Sequence, residues 1–193
     1  MKRQITIEQY RSIDLTLFAL MLVIFETIVV KASGKWFSAQ PYTFSLTAAL
    51  TAIVLMRWGI WGAVEAVLGG IVFCAAYGGS GGQYVIYGAG NLFSLGALGL
   101  IKLFGPENIR LDTVKSLIFA AAVQILMHAG RAAAALCFGH SIKECAAFFT
   151  TDALSCVITM VIIWIARRLD GIFENQKIYL LRINEEKEKG GCL

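Results

Sequence analysis

Charge is scarce in this chain. Asp, Glu, Lys and Arg make up 16% of its 193 residues, where a soluble domain carries about a quarter. Recognisable catalytic apparatus is lacking too. There is no H-E-x-x-H and no G-x-S-x-G, and the glycine run Gly78–Gly82 is not followed by the G-K-[ST] that completes a phosphate loop. The five cysteines, Cys74, Cys137, Cys145, Cys156 and Cys192, have no metal-ligand spacing. No internal repeat of fixed period is present. Nothing at the N-terminus reads as a cleavable signal peptide, and the ending Gly-Gly-Cys-Leu is not a prenylation box. These absences predict a chain that is not an enzyme, hydrolyses no ATP itself and needs no metal or cofactor.

What is present is apolar. Hydrophobic residues reach 58% and the mean hydropathy is +0.69. Six runs predict membrane spans: Ile13–Val30, Tyr42–Met56, Ile60–Tyr77, Tyr84–Leu103, Val114–Leu136 and Cys145–Ala166. Of the 17 Lys and Arg residues, all but Lys31, Lys35, Lys143 and Arg131 fall on segments that lie inside if the N-terminus is inside. The expected fold is therefore an all-α integral membrane protein, a bundle of six transmembrane helices with both termini cytoplasmic, in a bacterial cell membrane. Residues 1–168 form the transmembrane domain and residues 169–193 a cytoplasmic tail, with an amphipathic helix over Asp170–Asn184. The net charge of +4 is a topology signal and does not point to nucleic acid.

The apolar runs are interrupted by polar groups at one depth. Tyr84, Tyr87, Asn91 and Ser94 form one stripe at 100° per residue, in the outer half of the fourth run. Gln124, His128 and Arg131 share a face of the fifth, and Asp152, Ser155 and Thr159 a face of the sixth. Glu26 lies in the outer half of the first. An ionised group at mid-membrane costs about 2.5–3.5 kcal/mol even on the lenient scale. Such a set is either an internal salt-bridge network or the wall of a water-accessible pocket. Buried ions alone stabilise little, which favours the pocket. On that reading Tyr84, Tyr87, Asn91, Gln124, His128, Arg131, Asp152, Ser155 and Glu26 bind substrate. Trp36, Gln40 and Gln83, on the two outer loops, belong to a lid. Tyr84 and Tyr87 suit stacking on a flat ligand, and Arg131 suits a carboxylate or phosphate. Glu65, near the inner end of the third run, stands apart; Arg57 or a partner protein are its candidate contacts. Cys137 and Cys145 flank one outer loop and could pair there. The small-residue ridges Ala48-x-x-x-Ala52, Gly62-x-x-x-Ala66-x-x-x-Gly70, Ala129-x-x-x-Ala133 and Gly130-x-x-x-Ala134 allow close helix approach.

Length, six spans, a long first outer loop and an external polar pocket together resemble the substrate-binding S-component of energy-coupling factor (ECF) vitamin transporters. In sequence, the likeness rests on Met56-Arg57-Trp58-Gly59-Ile60-Trp61-Gly62-Ala63-Val64-Glu65-Ala66-Val67-Leu68-Gly69-Gly70, a Gly-aromatic-Gly turn opening a glycine-studded helix. The resemblance implies a micronutrient bound from outside, a transmembrane coupling subunit and two ATPase subunits. It departs from the family at Ala19, where an Ala-x-x-x-Ala pair would need alanine in place of Val23. Two other readings compete. One is a structural membrane scaffold without ligand; the other is a membrane enzyme using Glu26, His128 and Asp152.

Overall fold

The computed structural model describes residues 6–37 and 42–190. Among them every regular element is helical: α1 (Ile7–Trp36), α2 (Thr47–Trp58), α3 (Gly62–Tyr77), α4 (Gly81–Asn91), α5 (Leu98–Phe104), α6 (Pro106–Leu111), α7 (Thr113–Cys137), α8 (Ile142–Thr151), α9 (Ala153–Ala166) and α10 (Gln176–Gly190). Short 3-10 segments link α2 to α3 (Gly59–Trp61) and α4 to α5 (Leu92–Ala97). Four helical stretches are long and apolar enough to cross a membrane, or five if α8 and α9 count as one bent span.

One of those four, Thr47–Tyr77, is not straight. Gly59 has φ +62°, a conformation glycine adopts without a Cβ clash, and the chain reverses there. A Cβ on Gly62 would meet Leu55, and one on Gly69 would run into Thr47. Residues this far apart in sequence touch only if α2 and α3 run antiparallel. The predicted break at Arg57-Trp58-Gly59 is where the chain turns. All twelve residues of α2 are buried, so α2 is the central post of the bundle. At about 1.5 Å per residue it is only about 18 Å long. The extended segment before it, residues 42–46, supplies the remaining depth.

In lipid, close packing rather than hydrophobic burial brings helices together. The glycines do this here. A Cβ on Gly70 would meet the Tyr87 and Gly88 backbone of α4 at 2.6–2.9 Å, and one on Gly90 would lie 2.6 Å from the Arg131 nitrogen of α7. A Cβ on Gly130 would overlap the Gly90 carbonyl. Two of the small-residue ridges, through Gly62, Gly70 and Gly130, thus pack within the chain.

Element boundaries differ from the sequence expectations in several places, four of which bear on the site or the tail. A Thr6–Gln9 capping box starts α1 at Ile7, ahead of Ile13. A second box, Ser80–Gln83, draws Gly81 to Gln83 into α4 instead of leaving them as loop. The sixth run breaks by 40° at Asp152, between α8 and α9. The tail helix starts at Gln176 rather than Asp170, because residues 170–175 fold as turns under the bundle, with Gly171 at φ +71° and Phe173 fully buried. The end where α1 begins, with the Gly59 turn and α10, is called proximal below; the end with the α3–α4 and α7–α8 connections is distal.

Candidate functional site

The distal half of the bundle holds a buried polar cluster built from three helices. Arg131 is its centre and is 2% exposed. The Gly90–Gly130 contact lets α7 approach α4 closely enough for Arg131 Nε to donate to Asn91 Oδ1 at 2.7 Å. Nη1 donates to Asp152 Oδ2 at 2.8 Å. The guanidinium lies over the Tyr87 ring, 4.6 Å from its centroid. Asn91 turns its amide the other way and donates to the Ala66 carbonyl of α3 at 2.9 Å. Asp152 occupies the break between α8 and α9, where a helix interruption frees backbone groups at membrane depth. One of these, the Thr151 carbonyl, accepts from Thr43 N–H at 3.1 Å, and the Thr43 hydroxyl donates to Asp152.

His128 stands beside this cluster. Gln124 Nε2 lies 2.9 Å from His128 Nε2, and Thr159 donates to Gln124 Oε1 at 3.4 Å. The amide therefore donates to Nε2, which puts the imidazole proton on Nδ1. That nitrogen faces Asp152 Oδ2 at 3.8 Å, beyond hydrogen-bond reach, and among the described residues it has no partner. Arg131 Nη2 likewise makes no hydrogen bond among the described residues, since only Nε and Nη1 are engaged. The cluster is short of acceptors on one side.

A cavity of about 210 Å³ opens next to it at the distal end. Aromatic rings dominate its wall. Phe73 and Tyr87 stack at 4.9 Å, Phe73 and Tyr77 at 5.8 Å, and Phe148 meets Tyr87 edge-on at 5.8 Å. Thr43, Gln83 and Glu144 add polar atoms. Tyr87 belongs to both the cavity and the Arg131 stack, so it links the two. Glu144, on the rim, accepts from Ser141 N–H at 2.7 Å. That backbone bond, with the Ser141 hydroxyl, holds its carboxyl below the usual glutamate range.

The predicted set divides. Tyr87, Asn91, Arg131 and Asp152 come together as one cluster, with His128 and Gln124 adjoining it. Gln83 lines the cavity, although its Oε1 also accepts from Ser80 N–H at 2.7 Å. Ser155 and Glu26 are spent on the segment that leads into α2. Ser155 Oγ accepts from Ser45 N–H at 3.0 Å. Glu26 takes the Ser45 hydroxyl at 2.6 Å and the Leu46 N–H at 2.7 Å, capping the start of α2, where unpaired N–H groups attract an anion. Tyr84 packs with Val30, Phe73 and Cys74 rather than facing the cavity, and Ser94 donates back to the Asn91 carbonyl of its own helix. Trp36 ends α1 and is 77% exposed, away from the cavity. Gln40 lies outside the described residues. Cys137 is exposed and unpaired, and Cys145 is buried, with its thiol toward the Ala132 carbonyl.

Sequence reading missed Phe73, Tyr77, Phe148 and Thr43. Phe73 and Tyr77 are spaced i, i+4 at the distal end of α3, and that spacing beside Gly70 was the available signal. It also missed Asp14. Arg57 pairs with Asp14, not with Glu65. Glu65 is fully buried, and neither of its carboxylate oxygens has a partner among the described residues.

Fold and cluster together define a class: an all-helical chain with several helices able to cross a membrane and a charged, aromatic-walled site at one end of the bundle. Within that class, no protein-family model, no curated protein and no solved structure matches the chain.

Proposed function

We propose that this chain is the substrate-binding S-component of an ECF-type importer. It spans the bacterial cytoplasmic membrane six times, with both termini inside, and takes a small heterocyclic micronutrient at its distal, external end. The antiparallel α2–α3 hairpin supports counting Thr47–Tyr77 as two spans, and the bent α8–α9 pair as one gives six. Lys and Arg placement supports a cytoplasmic proximal end. The observation that carries the reading is Arg131. It is a buried guanidinium whose Nη2 makes no hydrogen bond among the described residues, stacked on a tyrosine that lines an aromatic cavity. Rings suit a flat heterocycle, and a guanidinium edge suits a carboxylate or phosphate on it. The coupling subunit and two ATPase subunits follow from the family resemblance.

A second reading, a ligand-free scaffold, draws on one observation. Asp152 and Asn91 already engage Arg131, so the network needs no guest to neutralise its charge. One experiment separates the two. The purified protein is denatured and the released small molecules are identified by mass spectrometry. A stoichiometric acidic heterocycle is the expected result. If no vitamin-class compound binds below the micromolar range, and Arg131→Ala and Asn91→Ala leave uptake unchanged, the scaffold reading stands.

A further inference from the structure

The proximal end has a cavity of its own, about 260 Å³, formed where the start of α1, the Gly59 turn and the start of α10 meet. Arg11, Arg57 and Lys177 line it together with Trp58, Ile60 and Trp61, and among the described residues no acidic side chain does. Arg57 is already neutralised by Asp14 at 2.7 Å. Arg11 and Lys177 are not: among the described residues neither forms an ion pair. Arg11 lies over the Trp61 ring, 4.5 Å from its centroid, which fixes its guanidinium at the cavity mouth. Lys177 is exposed on the first turn of α10, whose leading N–H groups are capped by Asn175 Oδ1 at 3.1 and 3.4 Å. Two unpaired cations on different segments therefore face one hollow.

The rim tells what kind of anion fits. Ile60 and Trp61, which line the cavity, are 65% and 42% exposed beside the charges. A soluble anion would leave that apolar surface bare. A ligand with acyl chains would cover it while its headgroup met Arg11 and Lys177, and Trp is the side chain that favours this depth. We propose that the proximal cavity binds the phosphodiester headgroup of an anionic phospholipid and so ties α10 to the bundle. The proposal rests on membrane embedding alone and is independent of the solute-binding reading.

The test reconstitutes the full chain in nanodiscs of phosphatidylglycerol and phosphatidylcholine in equal amounts. Retained lipid is then counted by native mass spectrometry after detergent extraction. Wild type is expected to retain phosphatidylglycerol about tenfold or more over phosphatidylcholine, from two basic contacts. The variant Arg11→Gln with Lys177→Gln is expected to lose that preference while keeping its helical circular dichroism. Lys143→Gln, at the distal end, is expected to keep the preference. Equal retention by wild type, or an unchanged preference in the double variant, overturns the proposal. The third arm adds millimolar inorganic phosphate to protein in neutral detergent. A rise in Tm matching that given by phosphatidylglycerol would assign the cavity to a soluble anion and overturn the lipid assignment.

Discussion

Among the described residues two largely buried arginine–aspartate pairs stand at opposite ends of the bundle, and they are built differently. At the proximal end Arg57 makes four hydrogen bonds, two to Asp14 and one each to the carbonyls of Gly171 and Ile172. Trp58 Nε1 adds a further donor to Asp14 at 2.6 Å, and Phe18 lies under the guanidinium at 5.2 Å. This arginine fastens α1, α2 and the turn before α10 together. At the distal end Arg131 makes two hydrogen bonds among the described residues, through Nε and Nη1, and His128 Nδ1 nearby has no partner among them. A buried donor without an acceptor costs about 1–3 kcal/mol. Backbone carbonyls extend the Arg57 network, whereas among the described residues the Arg131 network has unused donors beside a cavity. The more fully bonded pair is a clamp; the other has bonding capacity to spare.

The largest expected effects separate clamp from site. Arg57→Ala removes the cation facing Asp14, which keeps only the Trp58 Nε1 donor, and strips the Ile172 carbonyl of its donor, so it should destabilise the fold by about 3–5 kcal/mol. Thermal unfolding in detergent would read this as a large fall in Tm, with the affinity of surviving folded protein for its guest unchanged. Arg131→Lys should do the reverse. It retains the charge that Asp152 needs and loses the planar donor edge. Tm should fall little, while binding of the co-purified ligand, measured by calorimetry, weakens about tenfold or more. Equal Tm losses from the two variants, with no affinity change in the second, would make both pairs clamps.

A middle-sized effect is expected at Glu65, which belongs to neither network. Its carboxylate is fully buried, and the hairpin register that pairs Gly62 with Leu55 and Gly69 with Thr47 sets it opposite Thr51, whose hydroxyl is also unpartnered among the described residues. A carboxyl in that position is a cost to the fold. Glu65→Gln should therefore stabilise by about 1–3 kcal/mol, visible as a raised Tm. A fall in Tm would mean that Glu65 has a partner beyond this chain's described residues.

The helical, membrane-crossing character was legible because long apolar runs and few charges leave little choice. The stripe geometry also carried Tyr87, Asn91, Arg131 and Asp152 to one cluster, since i, i+4 and i, i+7 spacing fixes a helix face. Depth was readable, but direction around the bundle was not. Glu26 sits at the expected depth, yet it caps α2, because the chain enters α2 through an extended segment whose N–H groups need an acceptor. Tyr84 shares a stripe with Tyr87, yet one turn earlier it meets α1 and α3 instead of the cavity. Asp14 was hidden for a related reason: at the start of an apolar run it reads as a boundary residue, and only the return of the chain at Gly59 brings Arg57 to it.

The smallest expected effect tests whether the distal rim belongs to the clamp logic or to the site. Glu144 is exposed, accepts from Ser141 N–H and lines the cavity. Its carboxyl lies below the ordinary value of 4.5 in the folded chain because that backbone bond favours the charged form. A depressed carboxylate contributes stability that is complete above its unfolded value and is lost as pH falls through the folded one. Glu144→Gln should therefore lower Tm slightly at pH 7, and the difference from wild type should close as the pH is taken well below 4.5. If the rim only caps α8, ligand affinity at pH 7 should not change with this substitution. An affinity that changes at pH 7 while Tm does not would place Glu144 among the groups that meet the guest, and would extend the unsaturated region from Arg131 out to the cavity mouth.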